Sequence, residues 1–339
     1  MSGGIDSTVA AALLMERGLQ CAGVTLKLFD SEKGGADDAR EAAEMLGMAH
    51  SVLDFSEVFR EKVILNFVES YEKGLTPNPC IACNRHIKFG HLFTETSRFD
   101  SELLATGHYA QVEKSGSRWL LKKAVDSKKD QSYVLFYLDQ DTLARVLFPL
   151  GTLTKDEVRL IAFEKKLVNA KKEESQDICF VPDGDYGTFI ETFTGKRYPP
   201  GDILDTGGNV IGAHRGIVRY TLGQRRGLGV ALNKPLYVCA KDAARNTVTL
   251  GPENSLYSNI LTVHSINLVA CENINRPLRV SVKTRYLQAE RPAWAEQTSD
   301  DELRIEFDEA QRALTLGQAA VLYDGNIVVG GGIIGSAVI

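Results

Sequence analysis

The sequence predicts an α/β protein: an N-terminal parallel sheet flanked by helices, then a small central β domain and a C-terminal β-barrel. Three observations lead there. Helical and extended stretches alternate from Ser7 to about Thr106, the pattern of a parallel sheet covered on both faces. A Gly-Gly turn opens the first helix. After about Lys196 the texture changes to short β-type runs between turns, the pattern of small barrels. The expected divisions are 1–196, 197–260 and 261–339, and 339 residues suffice for two or three real cores.

In order, Met1-Ser2-Gly3-Gly4-Ile5-Asp6-Ser7 runs into an apolar helix over 8–15. Gly18 ends it by taking the left-handed conformation a helix C-terminus favours. Residues 21–29 (CAGVTLKLF) read as a buried strand. Residues 37–46 read as a short helix, capped by Asp37 or Asp38 and stopped by Gly47. A short strand is expected at 51–53. A long amphipathic helix is expected at 56–73, where Val58, Phe59, Val63, Phe67 and Tyr71 fall near helical spacing. Residues 103–105 form another strand candidate. The runs 109–112 and 118–122 make a hairpin around Lys114-Ser115-Gly116-Ser117. Helices are expected at 139–147 and 154–166, and turn clusters at 199–202 and 205–209. The β-type runs that follow are 217–222, 236–240, 247–250, 278–284, 303–307, 318–323 and 327–329. There is no repeat of fixed period and no low-complexity tract.

Hydrophobic content of 44% and charged content of 24% are ordinary for a globular chain. No apolar run approaches the ~20 residues that span a bilayer. No signal-peptide pattern is read, because Ser2 to Asp6 is polar where a basic start is needed. Six cysteines in so long a chain do not make a secreted disulfide framework, so a reducing cytoplasmic home is expected. A net charge of −5 means any RNA partner must be held by local basic patches.

Several motifs carry chemistry. At the start of the first helix, free backbone N–H groups and the positive end of the dipole favour an anion. Gly3 and Gly4 let the backbone approach a phosphate, and Ser2, Ser7 and Thr8 add hydroxyls. A Walker A ending and its lysine are absent. The bland alternative is an ordinary glycine turn capping a helix. Thr76-Pro77-Asn78-Pro79-Cys80-Ile81-Ala82-Cys83-Asn84 places a Cys-x-x-Cys at the start of a helix through 85–89, where a thiol becomes more nucleophilic. It could also be half a zinc site without its second half, or a redox dithiol. A further cysteine lies in Ser175-Gln176-Asp177-Ile178-Cys179-Phe180, whereas Cys21, Cys239 and Cys271 read as small core residues. Ala105-Thr106-Gly107-His108-Tyr109-Ala110 follows a strand, where nucleotides bind. By themselves Lys128–Tyr133 reads as a solvated loop, and Arg219-Tyr220-Thr221-Leu222-Gly223-Gln224-Arg225-Arg226-Gly227 as a weak phosphate-gripping signal.

The loop resembles the SGGxDS loop of the PP-loop ATP pyrophosphatases at Ser2, Gly3, Gly4, Asp6 and Ser7. With TPNPCIACNRHIKF, LLATGHYA, KKDQSYVL, LFPLG, SQDICFVPDGDY, PPGDILDT, YTLGQRRGLG, KTRY and DEAQRALTLGQAAVLYDG, the whole chain resembles the bacterial and organellar tRNA-specific 2-thiouridylases. The resemblance implies a PP-loop fold of the adenine nucleotide alpha hydrolase type. It implies that ATP with Mg²⁺ adenylates the C2 oxygen of the wobble uridine, position 34, of tRNAs for Lys, Glu and Gln. Sulfur then displaces AMP. The persulfide would sit on Cys179, loaded by a cysteine desulfurase directly or through relay proteins. Cys83 would liberate the sulfur and leave a transient Cys83–Cys179 disulfide. The implied ATP site is Met1, Ser2, Gly3, Gly4, Ile5, Asp6, Ser7, Leu26 and Gly107. The implied base contacts are Asn78, Pro79 and Cys80. Other implied tRNA contacts are His108, Lys129, Asp130, Gln131, Arg285, Tyr286 and Gln318.

Three departures from the family pattern stand out. The family has a hydrophobic strand feeding the loop, and here the chain starts at the loop. That implies either a start further upstream or a form lacking the first strand and holding ATP poorly. The segment 29–37 is shorter than usual. Cys80 stands where many relatives carry aspartate, so Cys80, Cys83 and Cys179 could instead ligate a 4Fe–4S cluster. The rival readings are another PP-loop ligase or amidotransferase, which would not need the two thiols, and a tRNA-binding protein without catalysis.

Overall fold

The computed structural model describes residues 1–29, 35–99, 101–167, 178–230 and 234–338. Helix α1 (Ile5–Glu16) starts at Gly4, whose backbone is extended. Gly18 ends it with φ +83°. Its apolar side, Ile5, Val9 and Ala10, is buried against Tyr109, Leu150, Val158 and Ala162. Strand β1 (Ala22–Lys27), helix α2 (Gly35–Met45) and strand β2 (Ala49–Asp54) follow. β1 and β2 pair in parallel from Ala22↔Ala49 to Lys27↔Asp54.

Helix α3 runs over residues 56–72: α-helical at Ser56–Phe59, π-helical at Arg60–Leu65 and α-helical again at Asn66–Glu72. Helix α4 (79–95) repeats the device, with α-helix at Pro79–Ala82, a π stretch at Cys83–His91 and α-helix at Leu92–Glu95. Asn78 caps α4 by accepting the Cys80 N–H at 3.1 Å, and Pro79 occupies the first turn, where its missing N–H costs nothing.

Strand β3 (Leu104–Ala105) leads into the predicted hairpin, β4 (Ala110–Ser115) and β5 (Arg118–Lys123). The helix expected over 139–147 is only partly formed. Asp139 caps α5 (Gln140–Leu143), and Val146–Leu147 becomes β6, parallel to β3. Tertiary pairing overrides the local pattern there: Leu104 N–H donates to Arg145 O at 2.9 Å and Thr106 N–H to Leu147 O at 3.1 Å. The parallel pairing read from the sequence therefore occurs in two pieces, β1–β2 and β3–β6. Helix α6 (Lys155–Glu164) opens on a capping box between Thr154 and Glu157, and α7 (Tyr186–Thr194) on Asp185.

The central unit is a four-stranded sheet of β7 (Gly201–Leu204), β8 (Val210–His214), β9 (Tyr237–Asp242) and β10 (Thr247–Gly251), in the order β8-β7-β10-β9. The turn expected at 205–209 is built on Asp205, whose Oδ1 accepts from Gly207 N–H and Asn209 N–H. The strand expected over 217–222 is not one. Ile217–Arg219 is a single 3₁₀ turn. Ile217, Val218 and Tyr220 all go inward, into one core with Phe67, Tyr71 and Phe180 from the N-terminal unit. An apolar run that points one way cannot be told from a buried strand by composition.

The remaining strands are β11 (Tyr257–Leu268), β12 (Leu278–Lys283), β13 (Arg291–Ser299), β14 (Glu302–Arg312), β15 (Ala319–Asp324) and β16 (Ile327–Val338). They join in the order β11-β14-β13-β12-β15-β16, and β16 closes back on β11 as a barrel. Alternation fills it: Leu261, Val263, Val280, Val282, Leu303, Ile305 and Phe307 point inside. β13 escaped the sequence reading because its inward residues are only Ala293 and Ala295. Most of β16 escaped because four of its residues are glycine, which strands disfavour.

The barrel docks on the N-terminal unit. β5 meets β16 at Lys122↔Ile327, and Lys123 N–H donates to Asn326 O at 2.8 Å. Ile81 and Phe89 of α4 share a core with Tyr133, Leu135, Val321, Tyr323 and Val328. The fully buried Tyr133 donates its hydroxyl to Ala319 O at 2.9 Å across this junction. Tyr133→Phe should lower stability by about 1 kcal/mol, the usual net worth of one such bond. Thermal unfolding should show a single transition at lower temperature. An unchanged midpoint would mean that the bond does not hold the two units together.

Candidate active site

The glycine turn is built by close approach. Gly3 has φ +68°, and a Cβ there would lie 2.7 Å from Gly35 O and 2.8 Å from Asp38 Cβ, so α2 sits directly on the turn. A Cβ on Gly107 would lie 2.8 Å from both Asp6 C and Ser7 N. The strand end after β3 therefore presses on the first turn of α1. Ser7 Oγ and Thr8 Oγ1 both donate to Gly4 O, at 3.2 and 3.1 Å. Ser2 Oγ lies 3.3 Å from Ser7 Oγ. Met1 lies along β1, its carbonyl accepting from Thr25 Oγ1 at 2.8 Å. Asp6 faces back into the protein, where its Oδ1 accepts the Tyr109 hydroxyl at 2.8 Å and Lys155 Nζ at 2.7 Å. Ile5 is a core side chain, and Leu26 packs against the core between α3 and the central unit. Ser2 and Ser7 are thus the loop side chains that remain near the helix N-terminus with their hydroxyls, beside the backbone N–H groups.

The thiols come from two places. Cys83 opens the π stretch of α4 and packs, half-buried, against the core that contains Phe180. Cys179 sits at the tip of a tight turn closed by Val181 N–H to Ile178 O at 2.8 Å. Its neighbours Ile178 and Phe180 enter that same core, which leaves Cys179 itself exposed. Cys179 feels the charges of Cys83, Cys80 and Lys88, so the cysteines lie within electrostatic reach of one another. Although the residue is exposed, its thiol is crowded: desolvation first, then the like charges of Cys83 and Cys80, push it up to about 11, while Lys88 pulls it down. Burial also raises Cys83, with Lys88 opposing it and Cys80 adding to it. The Cys80 thiol lies at the surface, yet is crowded enough that desolvation raises its pKa against the pull of Lys88. Ser175, Gln176 and Asp177 lie outside the described residues.

Among the described residues Lys88 is a cation whose charge acts on all three thiols, and it also reaches the Met1 amine beside the glycine turn. Its Nζ lies 3.4 Å from His108 Nε2, and His108 Nδ1 lies 2.7 Å from Thr106 Oγ1. An ammonium only donates, so Nε2 accepts and Nδ1–H donates to Thr106. Burial, then Lys88, holds the His108 pKa well below its usual value, and the ring is neutral. His108 is buried against Phe89 and Phe148 rather than presented at the surface.

The other expected tRNA residues bond to the protein itself. Asp130 is buried and accepts from Ala124 N–H, Ser132 N–H and Ser132 Oγ. Gln131 exchanges bonds with the Tyr109 backbone. Lys129 is half-buried, and its N–H donates to Asp126 O. Arg285 ties the central unit to the barrel, donating to Thr315 Oγ1, Ala313 O and Leu222 O. Tyr286 stands against Tyr133 and Lys283. Gln318 donates to Thr76 O at 2.9 Å, and Thr76 N–H to Leu316 O, so the barrel turn clamps the segment leading to Asn78, Pro79 and Cys80. Among the described residues no three or more His, Cys, Asp or Glu side chains are grouped so as to hold a metal ion. Sequence reasoning missed Lys88, Tyr109 and Lys155 as site residues. Lys88 and Tyr109 lay inside quoted strings, whereas nothing local marks Lys155 as the partner of Asp6.

A glycine turn at a helix N-terminus, beside a parallel strand end and with Lys88 and three cysteines within electrostatic reach of one another, is the arrangement of a PP-loop nucleotide-dependent enzyme. Residues 1–183 match the tRNA methyl transferase HUP domain, 187–252 the tRNA methyl transferase PRC-barrel domain and 258–334 the aminomethyltransferase beta-barrel domain. The tRNA-specific 2-thiouridylase MnmA of Acetivibrio thermocellus is 47% identical over 349 residues, covering 98% of this chain and 97% of that protein. The protein of the same description from Clostridioides difficile is 45% identical over 347 residues, covering 98% and 96%. The chain belongs to the tRNA-specific 2-thiouridylase family. Among solved structures, the U34-tRNA thiolase NcsA from Methanococcus maripaludis aligns with a TM-score of 0.35 and 20% identity, over 57% of this chain and 62% of that one.

Two outcomes follow from the geometry. Gly107→Ala must displace the backbone of Asp6 and Ser7, so ATP affinity measured by calorimetry should fall by roughly tenfold or more, about 1.4 kcal/mol. Unaltered affinity would show that the cradle does not hold the nucleotide. With its thiol pushed up to about 11, Cys179 should be alkylated by iodoacetamide at a rate that climbs without levelling from pH 7 to pH 9. Because Lys88 lowers that pKa, Lys88→Met should slow the reaction at each pH. A plateau below pH 9, or faster alkylation in the variant, would refute the assignment.

Proposed function

We propose that the chain is a tRNA-uridine 2-sulfurtransferase that uses ATP, taken up as its magnesium complex, to convert the C2 carbonyl of uridine 34 to a thiocarbonyl. What supports this reading is that Cys83 and the neighbours of Cys179 share one core, and that both thiols lie within electrostatic reach of Lys88, whose charge also reaches Met1 beside the glycine turn. An amide-forming ligase would have no use for that pair. The substrates proposed are the tRNAs for Lys, Glu and Gln, and the sulfur donor a cysteine desulfurase or a relay protein.

The cradle of Ser2, Gly3, Gly4 and Ser7 and the N-terminus of α1 would hold the phosphates, with Met1, Ile5, Leu26 and Gly107 shaping the walls of the site. Asp6 is a positioning residue: bound to Tyr109 and Lys155, it fixes the first turn of α1. The C2 oxygen of the base attacks the α-phosphorus of ATP and pyrophosphate leaves. That makes AMP the leaving group on C2. A persulfide on Cys179 then attacks C2 through its terminal sulfur, and AMP departs. The Cys83 thiolate attacks Cys179 Sγ, the persulfide S–S bond breaks, and 2-thiouridine is released. The proton given up by Cys83 ends on N3 of the base, and a Cys83–Cys179 disulfide remains. Lys88 favours each anionic sulfur along this route.

A wobble base in a single-stranded loop can be splayed into such a pocket at modest cost. Asn78, Pro79 and Cys80 are the proposed base contacts. Lys129 and Tyr286 are proposed to meet the tRNA directly. His108, Asp130, Gln131, Arg285 and Gln318 are proposed to act on it from positions also braced by the protein. A cytoplasmic location is proposed on the strength of six free cysteines. Among the described residues no helix is long and apolar enough to cross a membrane.

Cys179→Ala should abolish 2-thiouridine formation while ATP-dependent pyrophosphate release on tRNA stays measurable. Both activities are read on one sample, by nucleoside chromatography and a phosphate assay. Loss of both would show that Cys179 does more than carry sulfur, and retention of thiolation would refute the persulfide route.

A further inference from the structure

The route above ends with Cys179 locked in a disulfide, and it must be freed before a donor can reload it. A third thiol stands close by. Cys80 lies in the first turn of α4, one helical turn before Cys83. Helix geometry puts residues three apart at about 5 Å between Cα atoms, inside the roughly 4.4–6.8 Å that a disulfide spans. The order of exposure suits exchange: Cys80 is exposed and Cys83 half-buried. Cys80 lies within electrostatic reach of both Cys83 and Cys179. Its N–H is already pinned by Asn78 Oδ1 at 3.1 Å, which fixes the turn that carries it.

We propose that Cys80 is the resolving thiol of this enzyme. Resting on the sulfur-transfer reading, it regenerates Cys179 by internal thiol–disulfide exchange with the Cys83–Cys179 bond. The Cys80 thiolate attacks Cys83 Sγ. The Cys80–Cys83 bond forms, the Cys83–Cys179 bond breaks, and Cys179 leaves as a thiolate that takes up the proton Cys80 gave away. No net oxidation occurs in this step. A dithiol reductant from solution then reduces Cys80–Cys83. Its two S–H hydrogens pass to the cysteines, and it leaves as its own disulfide. That second exchange takes place at the exposed member of the pair, while Cys179 is free for the persulfide donor.

Lys88 matters here for a specific reason. Its charge acts on Cys80 and favours the thiolate against the desolvation that opposes it. Thiolate attack therefore depends on pH, and the exchange should quicken as pH rises through the neutral range. An aspartate in place of Cys80 could not take part, and a chain built that way would depend on direct reduction of the Cys83–Cys179 bond.

The test uses the full-length protein, loaded with persulfide by a cysteine desulfurase and then mixed with ATP and excess tRNA in the absence of reductant. After one turnover the mixture is quenched with N-ethylmaleimide, and disulfides are mapped by mass spectrometry. The expected result is a Cys80–Cys83 disulfide with Cys179 alkylated. In Cys80→Ser, a Cys83–Cys179 disulfide should accumulate instead, and multiple-turnover thiolation with dithiothreitol should fall by about tenfold or more. A wild-type protein that ends as Cys83–Cys179 with Cys80 alkylated, or with all three thiols alkylated after making 2-thiouridine, would overturn the proposal. If wild type makes no 2-thiouridine at all, the sulfur-transfer reading falls and this proposal falls with it, an outcome readily told from the others.

Discussion

The glycine turn depends on one contact that carries no charge: the strand end at Gly107 pressed on the backbone of Asp6 and Ser7. Nothing larger than a hydrogen fits there. This contact sets where the helix N-terminus lies relative to the β3–β6 strand ends, and hence where free N–H groups meet an anion. The fixation continues behind it. Tyr109, two residues past Gly107, donates to Asp6, and Lys155 from the start of α6 donates to the same oxygen. Lys155 is almost wholly buried, so the first turn of α1 is tied into the core from a helix far away in the chain. A short loop with two glycines would otherwise be entropically free; here three elements define it.

The thiol half of the site is held by a different principle. Cys83 and Cys179 are brought within electrostatic reach because their neighbours share one core, with Phe180 edge-on to Phe59 and Phe67 and tilted against Phe189. That core also contains Ile217, Val218 and Tyr220 from the central unit. The barrel contributes from the other side, gripping Thr76 through Leu316 and Gln318 just before the helix that carries Cys80 and Cys83. The two β units therefore have a physical role beyond any contact with RNA. They brace the segments on which the cysteines are mounted.

Electrostatics within the site is dominated by burial. The three thiols are all disfavoured as thiolates, and Lys88 is the shared counterweight. His108 contributes by staying neutral: with Nδ1–H given to Thr106, its Nε2 lone pair receives the lysine without adding a second positive charge. Desolvation favours the protonated form of each thiol, and Lys88 opposes it at all three.

Much of this was legible in the chain itself. Local rules marked the glycine turn, its helix, the Asn78-Pro79 cap before Cys-x-x-Cys, the hairpin at 110–123 and the change of texture after residue 196, because each depends on a few neighbouring residues. They failed at 217–222 and at Val146–Leu147, where packing and pairing with remote strands decided the conformation, and along β13 and β16, where alanine and glycine fill places that other strands make tight. The sequence by itself determined which residue types were available: a glycine turn before a helix, three cysteines in two quoted motifs and the cations near them. Only the tertiary structure decided that Asp6 turns inward to Lys155, that His108 is a buried support and that Lys88 lies within electrostatic reach of all three cysteines. Those relations join residues far apart in the chain, and no local spacing encodes a distance across a core.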